Sequence, residues 1–339
     1  MDKRLLKRER LDRLIDGVTR GGGLFVAPRL DARRVVYGPV TAADEMEFDY
    51  IVPGNSFKEF FFPRTEPVAR FSFHKQGTEL EEVRPEPVET VIFGSRPCDA
   101  ASCASLRSVF TWDFVDEYYT EREDAAVVMT VACTQGDESC FCTTVGVAPD
   151  GRDGSDILLR ETEGGDFTAE AVTEKGASFM ERYKDAFEAT VEGREKEVFQ
   201  PEILDGVDLE RIAQWLRDKE HYSSPLWPEV ARKCIGCGAC TFSCPTCHCF
   251  DLVDEGTFFE GERRKNWDSC QFDYFTLHAS GHNPRDTQYK RWRNRFMCKF
   301  HIYPGKFSTK GCVGCGRCIR VCPVRLDITE VMEEISKVP

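Results

Sequence analysis

The sequence predicts an α+β chain in two parts: an N-terminal α/β domain on a largely parallel sheet, and a C-terminal, mostly helical domain with a long insertion. Three observations predict this. Two apolar runs of strand length, residues 88–93 and 125–132, enclose a helical pattern over 101–110, which is the rhythm of a βαβ unit. The cysteines fall into two groups, five between Cys98 and Cys142 and twelve between Cys234 and Cys322. The cysteine-free gap between them carries Gly- and Asp-rich turns (Pro149-Asp-Gly-Arg-Asp-Gly-Ser, Glu163-Gly-Gly-Asp) and the charged run Glu192-Gly-Arg-Glu-Lys-Glu. A boundary near residues 190–200 follows, giving domains 1–195 and 196–339.

Taken in order, Met1 to Leu11 is charged and amphipathic, reads as a helix, and lacks the apolar core of a signal peptide. Gly21-Gly22-Gly23 is not followed by a phosphate-binding pattern, and neither Gly-x-Gly-x-x-Gly nor Gly-x4-Gly-Lys-Ser/Thr occurs, so the chain is not expected to bind NAD or ATP itself. Val88 to Phe93 is a β-branched run ended by Gly94, Ala101 to Phe110 a helix, and Ala125 to Ala132 a continuous apolar strand. Asp208 to Lys219 is an amphipathic helix with Asp208 placed as its N-cap. From Trp227 onward the pattern is of short helices and cysteine loops.

The 339 residues suggest about two domains, and 41% hydrophobic residues suffice for an ordinary core. No run approaches the roughly 20 apolar residues a membrane span needs, so no direct membrane insertion is expected. Seventeen cysteines without a secretory signal point to a reducing, cytoplasmic setting, where dense thiols bind metal rather than pair as disulfides. The net charge of −13 opposes general nucleic-acid binding, which needs an excess of cations.

Cys234, Cys237, Cys240 and Cys244, followed by Pro245, spell Cys-x2-Cys-x2-Cys-x3-Cys-Pro, and Cys312, Cys315, Cys318 and Cys322, followed by Pro323, spell it again. Three thiolates two residues apart can wrap one iron–sulfur cubane, and the fourth cysteine in such a pair of motifs binds the other cluster. The expected sets are Cys234, Cys237, Cys240 and Cys322 for one cluster, and Cys312, Cys315, Cys318 and Cys244 for the second. Gly236, Gly238, Gly314 and Gly316 would let backbone amides approach the sulfides. The alternative is zinc, which favours two separated Cys-x2-Cys pairs over this triple spacing. About 67 residues separate the motifs, with an insertion over about 250–308, so a helical ferredoxin-like domain is favoured over the compact βαββαβ form.

A third site is expected in the N-terminal part. Cys98 and Cys133 each lie just past a strand, at the carboxyl edge where parallel sheets bind ligands. Cys140 and Cys142 return there in Asp137-Glu-Ser-Cys-Phe-Cys, and a helix N-terminus beside Cys98 would favour an anionic cluster. The alternative is four unrelated buried thiols. Cys103, inside the helix, reads as core.

Arg96-Pro-Cys-Asp, Cys140-Phe-Cys, the paired motifs, Cys244-Pro-Thr-Cys-His-Cys-Phe, Lys58-Glu-Phe-Phe-Phe-Pro-Arg-Thr-Glu and Trp267-Asp-Ser-Cys with Gly281-His-Asn and Arg285 together carry a resemblance over nearly the whole chain. It resembles the family that joins the beta subunits of soluble sulfhydrogenases to the electron-transfer subunits of anaerobic sulfite reductases. The resemblance implies an electron conduit between a flavin- and NAD(P)H-binding partner and a catalytic redox subunit: hydrogenase, sulfite reductase or a heterodisulfide-reductase-like module. One departure is Cys298, where the family pattern has His before Lys-Phe. With Cys247, Cys249 and Cys270 it makes a fourth set of thiols, either a fourth 4Fe-4S site or packing that tunes the other clusters.

Weaker signals have blander readings beside the sharp ones. Arg285, Lys290, Arg291, Arg293, Arg295, Lys299 and His301, with Trp292 and Phe296 between them, could bind nucleic acid. A helix whose cations offset cluster charge or dock an acidic partner is preferred. His248 is either a ligand or a hydrogen-bonding neighbour of a cluster, and Glu81-Glu82 is solvated surface. The sequence thus predicts an electron-relay subunit with two, three or four 4Fe-4S clusters and no catalytic residue of its own. The competitors are a subunit whose N-terminal cluster keeps an open iron for substrate, and a structural iron–sulfur protein that binds nucleic acid.

Overall fold

The computed structural model describes residues 3–189 and 193–338; the expected boundary therefore lies partly outside the described residues, at 190–192. Twelve strands are present among them. The first six are β1 (Lys3–Leu6), β2 (Leu24–Asp31), β3 (Arg34–Pro39), β4 (Thr65–His74), β5 (Gly77–Glu82) and β6 (Thr90–Ser95). The others are β7 (Ala126–Val131), β8 (Ile157–Glu161), β9 (Phe167–Ala171), β10 (Phe187–Glu188), β11 (Phe250–Gly256) and β12 (Glu260–Trp267).

Eight of them form one sheet in the order β10-β1-β9-β8-β7-β6-β2-β3. Its centre is parallel, with β6 paired to β2 and β7, and β7 to β8. Antiparallel partners extend both edges. The two apolar runs are this centre: every residue of β6 and β7 is buried, as expected of strands covered on both faces. Side chains alternate between two cores. Val91, Phe93, Val127 and Met129 meet helices Leu11–Arg20 and Glu174–Arg182 on one face. Ile92 and Val128 meet Phe57, Phe61, Leu106, Phe110 and Tyr119 on the other, and Cys103 packs there as core.

The helix expected at the very N-terminus is in part a strand. Lys3–Leu6 pairs antiparallel with β9 and β10, burying Leu5 and Leu6, and the α-helix begins only at Leu11. Four residues cannot sustain a helix alone, and an open edge of the sheet satisfies their backbone groups better. Met1 and Asp2 lie outside the described residues.

The C-terminal part is helical around the cysteine loops, with one exception. Residues 250–267 form the hairpin β11–β12, and β12 pairs with β4 to make a second sheet in the order β11-β12-β4-β5. This hairpin carries charged residues on both faces, so no alternation in the sequence announces it. It is anchored by buried Lys265 of β12, which pairs with Glu66 of β4 at 2.9 Å and with Asp116 at 3.0 Å. Asp208 caps helix Leu209–Arg217 as expected, accepting from the Arg211 amide at 3.0 Å. That helix, Gln288–Phe296 and Ile328–Lys337 bury Trp215, Trp292, Phe296, Val331 and Met332 in a third core, to which the N-terminal half contributes Cys98, Phe141 and Cys142. No helix among the described residues is long and apolar enough to cross a membrane.

Candidate iron–sulfur centres

Each ferredoxin motif is a loop that turns through two left-handed glycines into a four-residue helix. Gly236 and Gly238 have φ of 69° and 74° before helix Ala239–Phe242; Gly314 and Gly316 have 64° and 71° before helix Arg317–Arg320. Of the eight motif cysteines only Cys237 is exposed. Two cavities result. One is lined by Cys234, Cys237, Cys240, Cys318 and Cys322. The other is lined by Cys244, Cys312, Cys315 and Cys318. Each cavity is thus lined by cysteines of both motifs. Among the described residues no three Cys, His, Asp or Glu side chains are grouped as around one metal ion. These thiols are spread around two adjoining cavities, a donor set suited to cubanes rather than to a lone zinc.

Cations surround these cavities. Helix Gln288–Phe296 continues into a π-helical stretch, Met297–Ile302, whose extra residue per turn re-aims the side chains within it. Arg295 lines both cavities; Lys299 lines the second. Lys299 is 5% exposed and donates to Cys244 Sγ at 3.1 Å, Thr246 Oγ1 at 3.0 Å and the Gly311 carbonyl at 3.1 Å. Burial opposes its charge, but the thiols Cys244 and Cys247 outweigh burial and hold its pKa well above the usual lysine value. Cys244 is held well below the usual thiol value by a hydrogen bond from Cys247, with Lys299 and Lys58 adding to it against burial. Lys58, from the N-terminal half, donates to the carbonyls of Cys244 at 2.9 Å and Cys247 at 2.6 Å and lies 4.2 Å from the Trp267 ring centroid. Burial lowers its pKa, and the neighbouring Cys247, Cys244 and Cys249 offset that only in part. The first cavity has a neutral donor, Gln288 Nε2, 3.2 Å from Cys234 Sγ. Nothing in the sequence marks Lys58 or Gln288 as neighbours of cluster cysteines; Lys58 sits in an aromatic run that gives no hint of its partner.

The structure brings Cys98, Cys133, Cys140 and Cys142 together past the ends of β6 and β7. Cys133 is an electrostatic neighbour of Cys98, Cys140 and Cys142. Burial, then Cys133 and Cys140, push the Cys142 thiol up to about 12. The helix at Cys98 is short, Pro97–Ala100. Arg320 donates to Cys140 Sγ at 3.2 Å and pairs with Asp137. This loop lies directly on the second motif: the Phe141 amide donates to the Gly314 carbonyl at 3.0 Å, and a Cβ on Gly314 would fall 2.5 Å from Cys142 Cα. Beneath it, Asp99 and Arg317 form an ion pair at 0% and 1% side-chain exposure. Tyr37 donates to the same carboxylate at 2.9 Å.

The fourth set is divided. Cys249 donates a hydrogen bond to Cys270 and, with Gln271, lowers that thiol to about 6 against burial, while Cys298 lies beside Cys270. Cys247 turns instead toward Cys244. Burial lowers His248 to about 4, and its ring meets the Tyr303 hydroxyl, so it stands as a hydrogen-bonding neighbour. Trp292, Phe296, Arg293, Arg295 and Lys299 of the basic, aromatic segment are buried, and Trp292, Arg295 and Lys299 line the cavities.

Residues 233–326 match the family of 4Fe-4S dicluster domains. Over 321 residues the chain is 32% identical to the sulfhydrogenase 2 subunit beta of Pyrococcus furiosus, a match spanning 89% of this chain and 92% of that protein. The chain belongs to the sulfhydrogenase beta-subunit family. It is accordingly an iron–sulfur electron-transfer subunit that carries 4Fe-4S clusters. No solved structure matches it.

Proposed function

We propose that this chain relays electrons in the cytoplasm between a flavin- or NAD(P)H-binding partner and a catalytic redox subunit, through 4Fe-4S clusters held in series. Cys234, Cys237, Cys240 and Cys322 hold one cluster; Cys312, Cys315, Cys318 and Cys244 hold the second. Cys98, Cys133, Cys140 and Cys142 hold a third. The observation that carries the reading is a pair of adjoining cavities, each lined by cysteines of both motifs, that share Cys318 and Arg295. The loop of the third set rests on the second motif through Phe141 and Gly314, which supports a continuous path rather than isolated centres. When bound, the clusters supply one-electron chemistry. The protein's part is to exclude water, fix the thiols and place cations against the negative charge each electron adds. Cys249, Cys270 and Cys298 make a fourth site if Cys247 swings away from Cys244. A substrate-binding iron in the N-terminal half would need an open position, which four thiol ligands would not leave.

Iron and sulfide quantification on the anaerobically purified chain tests this. About 12 irons per chain support the three-site relay, about 16 add the fourth set, and about 8 leave the dicluster pair alone. Fewer than about 4, with zinc in their place, would end the iron–sulfur reading. Co-purification from the native host would identify the donor and acceptor subunits; a chain isolated without any flavin-binding or catalytic partner would contradict the relay.

A further inference from the structure

Among the buried cations Arg295 stands apart. It is 4% exposed, and its Nε and Nη2 are buried with no hydrogen-bond partner. Its strongest electrostatic partners are sulfurs, Cys318, Cys240, Cys244 and Cys247, drawn from both motifs and the segment after the first. An arginine kept for architecture looks different in this protein. Arg317 spends its fork on the Asp99 carboxylate and its Nε on the Pro53 carbonyl; Arg293, although its Nε is also unpaired, reaches the Tyr222 carbonyl and stacks on that ring. Burying a charge without a counter-charge is expensive, so a sequence that retains one there has a compensating anion at that place. Arg295 lines both cysteine cavities.

We infer that Arg295 is a positioning residue shared by the two ferredoxin clusters: one guanidinium whose charge and free N–H groups raise the reduction potential of both. Lys299, which reaches Cys244 Sγ and lines only the second cavity, acts on one cluster alone. The physical reason is Coulombic. Each reduction adds a negative charge, a nearby cation stabilises the reduced form, and in a dry site this is screened little. The inference rests on the cluster assignment proposed above.

The test is a redox titration followed by electron paramagnetic resonance on the full chain, purified anaerobically, with iron content measured alongside. Arg295→Met and Arg295→Gln should lower both dicluster potentials by at least tenfold in the reduction equilibrium, about 59 mV for a one-electron couple. Lys299→Met should lower only one, and Arg295→Lys should restore both most of the way. Unchanged potentials at full iron content, or a shift confined to one cluster in both neutral variants, would overturn the shared role. If the neutral variants come out short of iron, the lysine variant decides. Full iron with both potentials near wild type supports the inference, and iron loss there too makes the residue architectural. A wild-type chain with fewer than about 4 irons would fail the cluster assignment itself, a separate result.

Discussion

The Asp99–Arg317 pair ties the two halves of the molecule together beside their cysteines. Asp99 follows Cys98, Arg317 precedes Cys318, and the pair lies where water does not reach. A buried ion pair adds little over a well-packed apolar pair, but removing one partner strands the other charge at a cost of about 3–5 kcal/mol. Asp99→Asn is therefore expected to lower the apparent thermal unfolding midpoint measured under anaerobic conditions, and Arg317→Met on the same background to recover much of the loss. Equal midpoints for wild type and Asp99→Asn would show that the pair is dispensable. At this scale the dicluster motifs of residues 233–326 were legible, because cluster ligation fixes spacing along the chain. The partner of Asp99 was not, since 218 positions separate it from Arg317 and no local pattern links them.

The motif turn is the smallest element whose geometry can be tested. Gly314 combines a left-handed φ of 64° with a Cβ direction that points into the Cys142 backbone at 2.5 Å. Gly22 has a φ of 80° and nothing within 4 Å of an added Cβ. Gly22→Ala should cost only the conformational penalty, about 1–2 kcal/mol. Gly314→Ala must also push the Cys140–Cys142 loop off the second motif. It is expected to reduce iron content below that of Gly22→Ala when both are purified side by side, and matching iron contents would contradict the close approach. The central strands and the helix capped by Asp208 were legible at this scale, because burial on both faces and a capped amphipathic face leave local signatures. The β11–β12 hairpin and the N-terminal strand were not. Both are held by pairing to distant strands, β4 for one and β9 for the other.

For the whole molecule, the distribution of cysteines over the cores sets what iron does for stability. The core on one face of the large sheet contains no cysteine, and the opposite face only Cys103. The third core is built around Cys98, Cys142 and the partly buried Cys234, Cys312, Cys315 and Cys318. Where ligands and core coincide, metal binding is part of the folding free energy. Chelating the iron anaerobically should abolish hydrogen-exchange protection in Trp227, the motif loops and helix Ile328–Lys337, and leave β2, β6 and β7 protected. Uniform loss across both regions would mean that the sheet also depends on the clusters. By itself the sequence determined that a 4Fe-4S dicluster domain is present and that an apolar parallel centre exists. Those are local facts, set by spacing and by runs of residue type. Only the tertiary structure decided that the N-terminal cysteine loop lies on the second motif, that Arg295 lines both cavities, and that Cys247 parts company with Cys249, Cys270 and Cys298. Those depend on which distant surfaces meet, and contacts between remote segments are settled by packing, which leaves no period in the chain to read.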